Sequence, residues 1–80
     1  MWKEGTIGIP KTEGRYKVIH YSIKHFEEPS KVYGIDGGRI SKLTLKGEDE
    51  IICNYDRGWD IKPTCKEAEM ALIILLNSHN

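Results

Sequence analysis

Two patterns of hydrophobic residues divide the chain into a sheet-forming part and a helix-forming part. Residues 16–26, YKVIHYSIKHF, are rich in β-branched and aromatic residues, which favour a strand. Residues 71–76, ALIILL, form the longest apolar run and lie in a stretch without glycine, whereas the glycines are concentrated in the first three quarters of the chain. The order of these patterns predicts strands followed by a helix.

Four strands are expected, with side chains that alternate between the two faces of a sheet. They cover residues 2–9, 16–26, 39–46 and 51–56. In the third strand, Leu43 and Leu45 alternate with Thr44 and Lys46, so one face can be buried while the other stays in water.

Glycine, proline and acidic residues mark the breaks between these strands. KTEG at 11–14 predicts a hairpin connection, and GEDE at 47–50 predicts a later turn. Residues 31–33, KVY, are interpreted as a short edge strand. The two glycines of IDGGR at 35–39 predict a tight reversal before the third long strand.

A helix is predicted over residues 64–77. Thr64 and Glu67 have the spacing of a capping box, in which the two side chains satisfy free backbone amides at the helix start. The stripe expected to lie on the sheet consists of Ala68, Ala71, Leu72 and Leu75. The residues that widen the apolar band are Ile73, Ile74 and Leu76. Either loops or a second chain must cover this excess, so a homodimer through the helix is one expectation.

These elements predict a single domain over residues 1–80, of the α+β class. Its sheet is expected to be a four-stranded antiparallel meander, with the C-terminal helix packed on one face in the order ββββα. A chain of 80 residues buries only about 60% of the surface that its unfolded form exposes, so the core should be thin.

Charge and hydropathy argue against several classes of partner. Basic and acidic residues number 12 each, so no net field attracts the chain to nucleic acid or to anionic lipid. The apolar run at 71–76 is far shorter than the roughly 20 residues that span a bilayer. We therefore expect a cytoplasmic protein that does not associate with membranes.

Cys53 and Cys65 lack the CxxC spacing of metal-binding or redox pairs and are expected to be free thiols. Cys65 falls in the first turn of the predicted helix, where the helix dipole favours a thiolate. Two interpretations stay open for Cys65: a small apolar filler or a reactive thiol.

The sequence contains no recognisable catalytic or metal-binding arrangement. His20 and His25 lie five residues apart on one strand and face opposite sides, and His79 lies in the tail beyond the predicted helix. GIDGGRISK at 34–42 lacks the spacing of a phosphate-binding loop and precedes a strand instead of a helix. We expect a protein that is not an enzyme and uses no cofactor or metal.

YDRGWD at 55–60 carries the most distinctive chemistry. Gly58 permits a bend, and Trp59 can close the end of a thin core as a structural plug. Alternatively, Tyr55, Arg57 and Trp59 form an exposed cluster of the aromatic and guanidinium groups that dominate protein–protein hot spots.

The sheet face opposite the helix offers a second kind of binding surface. It should present aromatic and basic side chains that can stack on bases and neutralise phosphates. These residues are Tyr16, His20, Lys24, Phe26, Lys42 and Lys46. The other interpretation is a solvated face whose lysines blunt the sheet edges, and the zero net charge favours it.

YGIDGGRISKL at 33–43 and YDRGWD at 55–60, together with Trp2, Gly5 and Pro63, resemble a small uncharacterised family of single-domain proteins. Its members occur in Gram-positive bacteria and in their phages and mobile elements, and the resemblance covers nearly the full length. It implies a context in which small proteins inhibit a host or defence protein by binding it. It assigns no catalytic role to any residue.

The sequence therefore predicts a small non-enzymatic protein-binding module. The resemblance implies an anti-CRISPR-like inhibitor of a bacterial defence nuclease. The alternative is a single-stranded nucleic-acid-binding domain that uses the open sheet face. The residues predicted to bind the partner are Arg39, Lys42, Tyr55, Arg57, Trp59 and Asp60.

Overall fold

The computed structural model describes residues 2–11 and 14–80, and it has the predicted α+β class. The elements are β1 (Trp2–Pro10), β2 (Tyr16–His25), a 3-10 turn (Ile35–Gly37), β3 (Ile40–Lys46), β4 (Ile51–Asp56), β5 (Trp59–Ile61) and α1 (Lys66–His79). Each strand pairs antiparallel with its neighbours in the chain, so the sheet order is β1-β2-β3-β4-β5. Residues 12 and 13 of the expected KTEG hairpin lie outside the described residues.

The sheet has five strands and not the four predicted. After β4 the chain reverses at residues 56–58, and Trp59 pairs with Tyr55 as the first residue of β5. YDRGWD is therefore a hairpin and not a bend that leads into the helix. The sequence does not indicate β5, because three residues are too few to show an alternating pattern.

Residues 26–39 form one folded loop, so the prediction of an edge strand at 31–33 is wrong, whereas the chain does turn tightly within residues 35–39. Ile35, which is only 1% exposed, belongs to the hydrophobic core. Asp36 and Gly37 take left-handed backbone conformations, with φ of 51° and 73°. They turn the chain after Ile35, and the loop closes one end of the core.

The core lies between α1 and one face of the sheet. The helix crosses β1, β2 and β3 and buries Ala68, Ala71 and Leu75 of the predicted stripe, while Leu72 is partly buried. The core residues that the strands contribute are Ile9, Ile19, Ile23, Ile40, Leu43, Leu45, Ile52, Cys53 and Tyr55. Along residues 19–23 of β2 and 42–46 of β3, the side chains divide between the two faces as the alternating pattern predicts, whereas Ile40 and Ser41 at the start of β3 are both buried.

The helix begins and ends about two residues later than expected. Cys65 is the N-cap and makes no side-chain capping hydrogen bond. The predicted capping box is wrong because the backbone N–H of Thr64 donates to the Ile52 carbonyl at 3.0 Å, which docks Thr64 against β4. Within the described ranges, no helix has the length and apolar content needed to cross a membrane.

Asn80 fastens the end of the helix to the 26–39 loop. Its Oδ1 accepts a hydrogen bond from the Ile40 backbone N–H at 2.9 Å, and its Nδ2 donates to the Ile35 carbonyl at 3.0 Å. His79 is not in a frayed tail, because its ring stacks on His25 with the centroids 6.4 Å apart. Burial lowers the pKa of His79, and the neighbouring positive side chains reinforce this, so the fold favours the neutral imidazole.

Candidate functional site

The β4–β5 hairpin places an arginine in a conformation that normally favours glycine. Arg57 has a φ of 56°, whereas the adjacent Gly58 is not among the residues with positive φ. The Arg57 backbone N–H donates to the Ser41 carbonyl at 2.8 Å, and the Asp56 N–H donates to the Gly58 carbonyl at 2.9 Å. The first of these hydrogen bonds fastens the hairpin to the start of β3.

Three exposed side chains lie at this hairpin or in contact with it. The guanidinium carbon of Arg57 lies 5.9 Å from the centroid of the Tyr33 ring. Trp59 packs edge-on against Tyr55, with a centroid distance of 5.1 Å and an interplanar angle of 79°. Trp59 is 39% exposed and Tyr33 is 47% exposed. We call Tyr33, Arg57 and Trp59 the aromatic corner.

Tyr55 supports the aromatic corner from below instead of forming part of its surface. Its side chain belongs to the core, and its hydroxyl donates to the Tyr33 carbonyl at 3.1 Å. Burial raises the pKa of the Tyr55 phenol, and the Asp36 carboxylate raises it further, so the hydroxyl stays protonated as a donor. Tyr55 thus connects the 26–39 loop to the β4–β5 hairpin.

Arg39 contacts the end of β2 and the start of the 26–39 loop. Its Nε donates to the Phe26 carbonyl at 3.1 Å, and its Nη2 lies 3.3 Å from the His25 ring nitrogen Nδ1. These contacts fasten the base of the 26–39 loop to the end of β2. The structure therefore gives Arg39 a supporting position at the base of the loop.

Lys42 and Asp60 lie on the open sheet face beside the corner. The Lys42 ammonium is 3.7 Å from Asp56, and the same carboxylate oxygen is 3.6 Å from the Arg57 Nε. Asp60 accepts a hydrogen bond of 3.0 Å from the Asn54 amide. The ion pairs are exposed and contribute about 0–1 kcal/mol, so they orient side chains more than they stabilise the fold.

Residues 1–80 match the family described as Domain of unknown function (DUF7678). The chain belongs to the DUF7678 family. This membership agrees with the resemblance to an uncharacterised family of small domains. Among curated proteins and solved structures, none matches the chain.

Sequence reasoning finds two members of the aromatic corner in this DUF7678 domain and misses the third. Arg57 and Trp59 stand out because guanidinium and indole groups lie within one hexapeptide. Tyr33 sits in a segment interpreted as a strand, and the hydrogen bond that places it comes from Tyr55, which is distant in sequence. A non-local contact of this kind leaves no local signal.

The open face of the DUF7678 sheet is largely polar and carries ordered cross-strand rows. One row runs through Trp2, Lys24, Lys42 and Asp56, and the next through Glu4, Ser22, Thr44 and Asn54. The Lys24 ammonium lies 5.9 Å from the Trp2 ring centroid. Of the residues predicted for this face, Tyr16, His20 and Lys46 are exposed, while Phe26 lies beyond the end of β2 and is partly buried.

Both thiols are free, and their surroundings differ. Cys53 is fully buried on β4, and burial raises its pKa to about 11. Cys65 is partly buried at the N-cap of α1, and the Lys17 ammonium lies 3.9 Å from its sulfur. Among residues 2–11 and 14–80, no three His, Cys, Asp or Glu side chains group as a metal site.

We expect the native chain to be alkylated at Cys65 well before Cys53. The Cys53 thiol is both inaccessible and almost fully protonated at neutral pH, and the thiolate is the reactive form. Iodoacetamide labelling followed by intact and peptide mass spectrometry measures both rates. Cys65→Ser is the control, since it should leave a native protein that is labelled only after denaturant is added. Equal labelling of the two cysteines in the native chain would contradict the burial of Cys53.

Proposed function

We propose that this DUF7678 domain is a non-enzymatic protein-binding module that contacts its partner through the aromatic corner. One observation carries the proposal. Arg57 has a left-handed backbone and a side chain that is 58% exposed, stacked over an exposed tyrosine.

The backbone conformation of Arg57 has an energetic cost. A left-handed conformation costs a non-glycine residue about 1–2 kcal/mol, which glycine at the same position would avoid. A hairpin selected only for stability would therefore carry glycine at residue 57. Strained residues of this kind cluster at functional sites, so the exposed guanidinium is the group that a binding function would retain.

The aromatic corner also has the composition and rigidity of a protein-binding hot spot. Tryptophan, tyrosine and arginine are the residue types enriched at such sites. Trp59 is packed against Tyr55, whose hydroxyl is fixed on the Tyr33 carbonyl. Side chains that are already held in place lose less conformational entropy on binding. This lowers the free-energy cost of association by about 0.5–1.5 kcal/mol for each such side chain.

Photo-crosslinking at matched valines locates the contact surface. Val32 adjoins the corner and is 74% exposed, whereas Val18 lies on the open face and is 52% exposed. A photo-reactive amino acid at residue 32 should capture the partner in a bacterial lysate, and the same group at residue 18 should not. Mass spectrometry of the adducts measures both. Capture at residue 18 alone would place the contact on the open face and reject the corner.

Substitutions in the aromatic corner test Arg57 and Trp59 individually. Each is introduced into the chain that carries the photo-reactive amino acid at residue 32. Arg57→Gly removes the guanidinium while relieving the strained backbone, and Trp59→Ala removes the indole. A hot-spot loss of about 2 kcal/mol corresponds to roughly 30-fold weaker capture. Gly58→Ala is the matched control, because a Cβ there meets nothing within 4 Å. Undiminished capture by both corner variants would remove Arg57 and Trp59 from the interface.

The resemblance to small proteins of phages and mobile elements supports a finer proposal for the partner, a bacterial defence nuclease that the chain inhibits. The captured protein decides this point. A nuclease whose cleavage slows when the chain is added supports inhibition. A captured protein without nuclease activity rejects the inhibitor and leaves the binding corner in place.

A single-stranded nucleic-acid-binding face is the second candidate function. Two exposed aromatic residues, Trp2 and Tyr16, and the lysine over the Trp2 ring favour it. The Asp56 carboxylate beside Lys42 opposes it by neutralising part of the positive charge. Binding of a labelled oligonucleotide should weaken steeply with salt, because released counterions drive such association. A signal that does not change with salt concentration would reject this function.

A further inference from the structure

The outer edge of β1 is the longer of the two edges of the sheet. β1 has nine residues, whereas the opposite edge strand, β5, has three. The β1–β2 pairing is regular throughout, while the other three strand pairs each contain a bulge or register irregularity. Of the usual devices that prevent edge-to-edge pairing, β1 has a lysine and a terminal proline, but it is neither short nor bulged.

Backbone geometry shows which groups this edge presents. The Lys11 N–H donates to the Arg15 carbonyl at 2.7 Å. Because hydrogen bonding alternates along an antiparallel pair, the odd-numbered residues of β1 direct their backbone groups to β2 and the even-numbered residues direct theirs outward. Pro10, which has no N–H, falls at an outward position. The free donors therefore belong to Trp2, Glu4, Thr6 and Gly8.

We propose that β1 pairs antiparallel with β1 of a second copy, with Thr6 on the two-fold axis, so that one sheet runs through both chains. This register overlaps the full length of the strand. It pairs Trp2 with the partner's Pro10 and Glu4 with the partner's Gly8. A two-fold contact of this kind is closed and uses the same surface on both chains.

The register is self-complementary on both faces of the sheet. The Trp2 indole, 55% exposed, meets a proline ring, and Glu4 meets a glycine instead of another charge. On the helix side, Lys3 is opposite the partner's Ile9. Like charges directly opposite each other would destabilise the pair, and this register brings none together.

The helix adds an apolar flank to the same edge. Met70 lines a surface hollow with Pro10 and Lys11 at the end of β1, and it is 42% exposed. Ile74 lies one helical turn further along the same strip and is 43% exposed. A two-fold axis normal to the sheet keeps both helices on one face, where these side chains flank the joint between the chains. The dimer would thereby cover Ile74, one of the residues that widen the apolar band of the helix.

Charge variants at residue 8 test the register. A Cβ at Gly8 meets only the Tyr16 ring, at an ordinary 3.7 Å, so the monomer accommodates a side chain there. The wild-type chain should sediment at twice 9.2 kDa. Gly8→Lys should lower the dimer Kd by about 2- to 10-fold by facing the partner's Glu4, and Gly8→Glu should raise it by a similar factor. Adding Glu4→Lys to Gly8→Glu should restore the dimer.

Electrostatic interaction between residues 4 and 8 of the same chain should not produce these shifts in the dimer Kd. Residues 4 and 8 lie four positions apart on one strand, about 13 Å, which exceeds the screening length of about 8 Å at physiological salt. Urea denaturation of the variants at low concentration should therefore show similar unfolding midpoints.

Analytical ultracentrifugation separates the outcomes. Opposite shifts for the two Gly8 variants, with rescue by the double variant, support the β1–β1 dimer. A purified chain that stays at 9.2 kDa at every concentration rejects the dimer. The same result is expected if the edge of β1 pairs with a strand of a different protein, so that case also counts against the proposal. A dimer whose Kd moves in the same direction for Gly8→Lys and Gly8→Glu also rejects it, since the contact then lies elsewhere.

Discussion

Replacing Gly34 with alanine is expected to destabilise the domain by about 1–3 kcal/mol. The dihedral angles of Gly34, φ −78° and ψ 144°, suit any residue, so the effect does not come from backbone strain. A Cβ at this position would overlap the carbonyl of Gly38 and lie 2.8 Å from the Ser30 carbonyl. Both obstacles are backbone atoms, so the 26–39 loop must open to make room. Urea denaturation monitored by circular dichroism measures the loss.

The matched control for Gly34→Ala is Gly58→Ala. It makes the same chemical change at a position without positive φ and without atoms within 4 Å of the new methyl group. Its free energy of unfolding should stay the same or increase by at most about 1 kcal/mol, because alanine restricts the conformations of the unfolded chain. If both variants unfolded at the same denaturant concentration, the close contact between Gly34 and Gly38 would be refuted.

Leu45→Ala should cost about 2–5 kcal/mol of unfolding free energy. Leu45 is fully buried on the central strand, where it pairs with Tyr21 on β2 and with Cys53 on β4. The total free energy of unfolding of a small domain is about 5–15 kcal/mol, so the variant loses a large fraction of its stability. Thermal and urea unfolding measure the change.

Val18→Ala serves as the comparison for Leu45→Ala. Val18 is 52% exposed on the open face, so its truncation creates no internal cavity. Its effect should stay within about 0.5 kcal/mol, which is typical of surface positions. A Val18 variant as unstable as the Leu45 variant would mean that the open face is covered in the native protein, and it would weaken both binding proposals.

Much of the sheet and helix follows from local sequence patterns. The segments 19–23 and 43–45 alternate between the two faces, which fixes the buried face of β2 and β3, and the spacing of Ala68, Ala71 and Leu75 fixes the buried face of the helix. These features depend on periodicity alone. They are therefore available from one sequence without any knowledge of long-range contacts.

The features that the sequence does not predict depend on contacts between distant residues. The 26–39 loop takes its shape from hydrogen bonds that Asn80 makes with Ile35 and Ile40, and Tyr33 is placed by Tyr55. β5 exists because Arg57 adopts a left-handed conformation, which residue propensity opposes. Two of the three residues of the candidate site therefore stand out in the sequence, and the third does not.

The order of the strands in the sheet also bears on how fast the chain can reach its native state. Every strand pairs with the one that precedes or follows it along the chain, so the sheet needs no long crossover. Folding rates fall as the average sequence separation of contacts rises, and a meander keeps that separation small for its ladders. We therefore expect early zipping of neighbouring strands, with the docking of Asn80 onto the loop as the late, entropically costly closure.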